Sequence, residues 1–127
     1  MTNKDINNIT VIIPAKNEEN YIDKCIEGIK AIDFNKNQME IIVVDNGSKD
    51  RTINIASNSG AKVIEVQDVT IGELRNYGAK VAKGEILAFL DADCIPHKKW
   101  LKNALWHFDN PDVACVGSEP ILSAGEN

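Results

Sequence analysis

Gly84-Glu85-Ile86-Leu87-Ala88-Phe89-Leu90-Asp91-Ala92-Asp93 is the stretch whose reading decides the fold. Glu85 to Leu90 is an apolar run of strand length, and it ends abruptly in two carboxylates separated by an alanine. A strand that is apolar at consecutive positions is covered on both faces, as in parallel sheets flanked by crossover helices. In such sheets ligands bind beyond the carboxyl ends of the strands, where the strand order reverses. The two acids sit at that kind of exit.

Working outward, Gly72 to Val81 has helical spacing, with Gly78 inside it and Gly84 closing it. An interior glycine costs about 1 kcal/mol relative to alanine, so Gly78 implies close helix packing or close ligand approach. Upstream, Asn8–Ile13, Met39–Val44 and the weaker Ala61–Val66 read as strands, the first ended by Pro14. Between them, Ile22, Cys25, Ile26, Ile29 and Ile32 mark a helical face over 18–32, with Asn17 as its expected cap. Ser48 is the expected cap of a second helix carrying Ile53 and Ala56 and stopping near Gly60. Downstream, Pro96 is expected to open a helix with Leu101, Ala104, Leu105 and Phe108 inward, followed by a short fifth strand, Val113–Val116. The alternation predicts an α/β fold, a three-layer α/β/α arrangement with a mainly parallel sheet.

The chain has 127 residues, 43% of them hydrophobic and 26% charged, with a formal net charge of -5. That composition fits one globular domain and gives no basic footprint for nucleic acid. No segment is long and apolar enough to span a bilayer, and the polar N-terminus has no signal-peptide core. A cytoplasmic location follows as the expectation, with a longer parent protein at a membrane face left open. The three cysteines, Cys25, Cys94 and Cys115, match no zinc spacing and read as reduced thiols. Glu119–Asn127 reads as a connection rather than a closing element.

Three polar motifs follow strands one, two and four: Pro14-Ala15-Lys16-Asn17-Glu18, Asp45-Asn46-Gly47-Ser48 and Asp91-Ala92-Asp93. An acidic chain that binds phosphates needs a metal or a few basic groups to neutralise them. Asp91 and Asp93 are the first candidates for a divalent cation, since Mg2+ and Mn2+ bind with few carboxylates plus substrate phosphates. A solvated turn is the alternative. Asp45 can accept from a base N–H or a ribose hydroxyl, or close an Asx-turn into Gly47. Glu18 and, less directly, Glu19 can reach ribose hydroxyls or simply favour a helix start. Arg75, beside Asn76 and ahead of strand four, and Lys16 are the phosphate candidates. His97 and His107 lack ligand partners, and Trp100 and Trp106 read as packing groups. Neither a dinucleotide fingerprint nor a phosphate-loop lysine motif is present.

Together Thr10-Val-Ile-Ile-Pro-Ala-Lys-Asn-Glu-Glu19, Ile42-Val-Val-Asp-Asn-Gly-Ser-Lys-Asp50, Arg75-Asn-Tyr-Gly-Ala79 and Gly84–Asp93 resemble the N-terminal, nucleotide-sugar-binding half of a family 2 glycosyltransferase with the GT-A fold. The resemblance covers nearly the whole chain. It implies that 1–127 form the donor-binding part of such a domain, apparently truncated, with the acceptor-binding part absent. It implies inverting transfer from a nucleotide-diphosphate sugar, most commonly a UDP-sugar, to an unknown glycan, lipid or polymer acceptor. Asp91 and Asp93 would then hold the donor and Mg2+ or Mn2+, with Asp93 the direct metal contact. Asp45 would face the base, Glu18 the nucleoside, Pro14 and Ala15 the base pocket, and Arg75 the base and phosphates. No catalytic residue is assigned, because the resemblance places the general base beyond Asn127, and the isolated chain is expected to transfer sugar weakly or not at all. Asn46 and Leu74 depart from the pattern, which usually has an acid and a smaller residue there. Two other functions fit the same layers: a non-catalytic nucleotide-sugar-binding module, and a nucleotidyltransferase. The latter wants a glycine- and basic-rich loop after strand one, and Pro14–Glu18 has one lysine and no glycine.

Overall fold

The computed structural model describes residues 8–117, so the connection read at Glu119–Asn127 lies outside it. Four strands form one sheet: β1 (Ile9–Ala15), β2 (Met39–Asn46), β3 (Lys62–Val66) and β4 (Ile86–Phe89). Their order is β3-β2-β1-β4, and every pairing is parallel. The helices are α1 (Ile22–Lys30), α2 (Thr52–Asn58), α3 (Ile71–Val81) and α4 (Trp100–His107).

All seven residues of β1 are buried, as a strand covered on both faces requires. Its alternation assigns the two cores. Ile9, Val11, Ile13 and Ala15 point into one, shared with Ile22, Cys25, Ile26 and Ile29 of α1, Ala56 of α2, and Leu101 and Leu105 of α4. Ile12 points into the other, with Ile42, Val44 and Leu74 of α3. The result is the expected helix–sheet–helix layering. Gly78 has a packing role: a Cβ there would lie 2.6 Å from Ile12 Cγ2 and 3.2 Å from Val44 Cγ2, so its absence lets α3 lie close on the sheet.

The chain runs outward from β1 through β2 to β3, then crosses back to place β4 on the opposite side of β1. The strand order therefore reverses between β1 and β4. Pro14 sharpens that point. Ile12 and Pro14 turn their backbone groups toward β4, and Leu90 N–H donates to the Ile12 carbonyl at 3.1 Å. Pro14 has no N–H to continue the ladder, so β1 and β4 part there while β1 stays paired with β2 through Ala15↔Asp45.

Several boundaries differ from the sequence expectations. Pro14 lies within β1 rather than ending it. Asn17 does not cap α1: it adopts φ 53°, and α1 starts after Tyr21 with no side-chain cap. Ser48 does not cap α2, which starts after Arg51. Gly84 does not close α3, which ends at Val81. A Cβ on Gly84 would sit 2.5 Å from Thr10 N, so this glycine admits the approach to β1 instead. Pro96 precedes α4 by a turn, in which Trp100 N–H donates to the His97 carbonyl. Residues 113–117 form no strand, and β4 pairs only with β1 among the described residues. Trp100 packs against the larger core, whereas Trp106 is exposed.

Candidate functional site

A cleft of about 350 Å³ opens where β1 and β4 part. Pro14, Ala15, Lys16 and Glu18 line it from the β1 side, Asp91, Ala92 and Asp93 from the β4 side. Asn46, Ile71 and Leu74 complete the wall. Of the predicted site residues, Pro14, Ala15, Glu18, Asp91 and Asp93 thus share one crevice. Arg75 joins at its edge, its guanidinium 3.7 Å from Asp91 Oδ1. Arg75 is half-buried and Asp91 exposed, so at that distance the pair orients more than it stabilises. Asn76 does not line the cleft.

Asp91 and Asp93 are exposed, while Ala92 between them is buried. The buried methyl anchors the turn and leaves both carboxylates outside. A ligand oxygen from each, together with Cys94 Sγ, lies within 4.8 Å of the others. That separation fits one cation held between two hard oxygen donors, and the open side leaves room for phosphate oxygens. The turn itself is closed by Cys94 N–H donating to the Asp91 carbonyl at 3.0 Å.

Acid density changes proton affinity. The pKa of Glu18 is raised, first by partial burial, then by the nearby charges of Asp93, Asp50 and Asp91. A cation between the carboxylates would relieve that repulsion. The Cys25 thiol, buried on α1, is pushed up to about 12, chiefly by burial and then by Cys94, Asp93 and Asp91. It is a neutral S–H donor, not a thiolate.

Asp45 behaves differently. It is fully buried and does not line the cleft. Its Oδ2 accepts from Ser48 N–H at 2.7 Å, and its Oδ1 accepts from the Ser48 hydroxyl. Asp45 thus closes the loop onto Ser48, three residues on rather than the two of an Asx-turn, with Gly47 between them at φ 67°. Asn46, one residue on, is the member of that motif that lines the cleft. Its Nδ2 donates to the Val69 carbonyl at 3.1 Å, and its Oδ1 has no hydrogen-bond partner.

Sequence reasoning missed the stitching between the β1–α1 and β2–α2 loops. Asn17 N–H donates to Ser48 Oγ, and Lys49 N–H donates to Asn17 Oδ1. Glu18 N–H donates to Thr52 Oγ1 at 2.8 Å. Glu19 N–H donates to Asp50, and Arg51 N–H donates back to Glu19 Oε2. Glu19 is thereby occupied outside the cleft. Asp50 also accepts from the Thr52 N–H and hydroxyl. Burial raises its pKa, but these hydrogen bonds outweigh that and hold it below the ordinary range. The signal is the polar run over 45–52, in which Asp50 and Thr52, like Asp45 and Ser48, carry short side chains able to bond backbone N–H groups. A second hollow of about 410 Å³, lined by Lys16, Asn46, Lys49 and Gln67 among others, adjoins the first. His97 accepts from Lys99 N–H within its own turn, and His107 ends α4.

A parallel α/β sheet with an acidic, metal-compatible cleft at its strand-order reversal defines an open α/β domain with its crevice where such folds bind ligands. Residues 10–126 match the glycosyl transferase family 2 model, and the chain belongs to that family. It is 37% identical over 115 residues to the glycosyltransferase AglE of Haloferax volcanii, covering 86% of this chain and 38% of AglE. Its structure is similar to that of Staphylococcus aureus TarS 1-349 in complex with UDP-GlcNAc, with TM-score 0.69 and 32% identity, over 80% of this chain and 31% of that one. It is also similar to the mannosyltransferase PcManGT of Pyrobaculum calidifontis in complex with GDP-Man and Mn2+, with TM-score 0.75 and 26% identity, over 89% of this chain and 36% of that one. The chain thus spans about a third of the length of these relatives. Among the described residues, no helix is long and apolar enough to cross a membrane.

Proposed function

We propose that this chain supplies the donor- and metal-binding part of an inverting glycosyltransferase that uses a nucleotide-diphosphate sugar. The observation that carries this is the pair of exposed carboxylates, Asp91 and Asp93, facing the cleft where β1 and β4 part. Asp93 and Asp91 would hold Mg2+ or Mn2+, which neutralises the donor diphosphate and favours its departure. Pro14 and Ala15 bound the nucleoside pocket, Glu18 meets ribose hydroxyls, and Arg75 and Lys16 add positive charge near the phosphates. Asp45 serves the pocket by fixing Ser48 and the loop that carries Asn46. Relatives solved with UDP-GlcNAc and with GDP-Man support the donor class and leave uracil and guanine both in play, with a UDP-sugar as the first choice. A glycan, lipid or polymer hydroxyl would be the acceptor, and a general base outside the residues assigned here would deprotonate it.

Calorimetric titration with UDP, GDP and their sugars, with and without Mn2+, tests this reading. Nucleotide binding that depends on Mn2+ is expected. Equal binding with the metal and with a chelator would sink it, as would no binding of any of the four ligands.

A further inference from the structure

The acidic turn between β4 and α4 makes two close contacts with α1, both on one helix face. Cys25 Sγ lies 3.6 Å from the Asp91 carbonyl oxygen, the same oxygen that accepts Cys94 N–H. One carbonyl thus takes two donors, one from inside the turn and one from the helix beneath it. One helical turn further on, Gly28 faces Ile95 and Pro96. A Cβ on Gly28 would stand 3.0 Å from Pro96 Cδ and 3.1 Å from Ile95 Cγ2, tighter than ordinary contact. Cys25 is fully buried and Gly28 partly so, and α1 is held in the larger core by Ile22, Ile26 and Ile29.

From these contacts we infer that Cys25 and Gly28 are positioning residues: α1 is the seat that fixes the Asp91–Pro96 turn so that both carboxylates stay aimed into the cleft. The two act by different physics. The thiol donates to the Asp91 backbone from below, and the bare Cα of Gly28 lets the far end of the turn settle onto the helix. Neither Cys25 nor Gly28 lines the cleft, and both act on the turn that carries its carboxylates. Outer partners of this kind commonly change metal affinity by about 10–100-fold when removed. The inference rests on the proposed donor site, and its test separates the two.

Three variants suffice: Cys25→Ala, Cys25→Ser and Gly28→Ala. Mn2+ affinity in the presence of UDP is read by electron paramagnetic resonance, and hydrogen exchange of the Cys94 amide is read by NMR without any ligand. Cys25→Ala and Gly28→Ala are each expected to weaken Mn2+ binding about tenfold. Both are also expected to speed Cys94 exchange while core amides of β1 and β2 remain protected. Cys25→Ser, which keeps a donor, is expected to recover affinity to within about threefold of the parent. Parent-like Cys94 exchange in both alanine variants would overturn the seating role whatever the metal does. A serine variant as weak as the alanine one would overturn the role of the thiol as donor. A parent chain that binds no Mn2+ with UDP would refute the proposed function, while the Cys94 amide still decides whether α1 seats the turn.

Discussion

Two acidic motifs leave the same end of the same sheet and meet opposite fates. Asp45 at the end of β2 is fully buried, with both carboxylate oxygens taken by Ser48. Asp91 and Asp93 beyond β4 are exposed and share a cleft. Sheet position explains the difference. β2 is flanked by β1 and β3, and its ladder with both continues to its last residues, Asp45↔Ala15 and Asn46↔Val66. Its exit is therefore enclosed on both sides, and a charge there must find its hydrogen bonds inside the protein. β4 has a neighbour on one side only among the described residues, and Pro14 ends even that ladder before the acids begin. A carboxylate at a free exit keeps its lone pairs for solvent or a ligand. The first motif builds the loop; the second is available for chemistry.

The largest expected effect tests the open side of this contrast. Asp93→Ala should weaken Mn2+-dependent nucleotide binding by about a hundredfold or more, since a direct ligand should cost at least as much as an outer partner. The melting temperature should stay within a few degrees of the parent, because an exposed carboxylate supports little of the fold. Calorimetry and thermal unfolding read the two quantities separately. Metal-dependent affinity equal to the parent's would break the contrast at its functional end.

The closed side should respond in the reverse order. Asp45→Ala leaves the Ser48 N–H and hydroxyl without this acceptor, and losing two part-buried hydrogen bonds to a carboxylate should cost about 2–4 kcal/mol of stability. Urea unfolding measures this. At a temperature where the variant is folded, its nucleotide affinity should fall by less than about tenfold, an indirect effect through the loop. A collapse of affinity with unchanged stability would return Asp45 to direct contact with the base. Thr52→Val is a milder probe of the same scaffold. It removes the acceptor of Glu18 N–H and a donor to Asp50, and should cost about 1–2 kcal/mol.

The layering was legible in the sequence because a continuous apolar strand declares two covered faces and an amphipathic helix declares a period: β1 is buried throughout, and α1 buries Ile22, Cys25, Ile26 and Ile29. Gly78 was legible as a close-packing position because an interior glycine has a known cost. The fate of Asp45 was not legible, because a carboxylate before Asn-Gly-Ser reads alike whether it closes a turn or meets a base. Only the strands on either side decide it, and strand order is not written locally. The helix starts at Asn17, Ser48 and Pro96 failed for a related reason. Asn17 and Ser48 look like caps, but their side chains bond across two loops that meet only in the folded sheet. Val113–Val116 has strand composition, and Ala114–Val116 line one hollow with β4, yet no ladder joins them among the described residues. The Cys25 contact with Asp91 spans 66 positions and carries no local signal.

The smallest expected effect is a pH dependence at Glu18, which lines the cleft with Asp91 and Asp93. This residue feels Asp93 and Asp91 from one side and Asp50 from the other, after the larger influence of its own partial burial. All four causes raise its pKa above 4.5. The native chain therefore holds a proton on Glu18 at pH values where the unfolded chain has released it. Stability then depends on pH with the sign of protons bound in the unfolded state minus those bound in the native state, which is negative in this window. The contribution is fully present below about pH 4.5 and is lost as pH rises through the raised native value. Glu18→Gln should flatten that decline in urea unfolding measured across pH 4–7. Mn2+ should flatten it in the parent, because a cation beside Asp91 and Asp93 offsets two of the charges that raise it. Asp93→Asn should reduce the slope, and Asp45→Asn should leave it unchanged, since Asp45 is absent from the groups acting on Glu18. An equal response to the two asparagine variants would mean that the exposed and buried acids share one electrostatic environment, against the separation the sheet imposes.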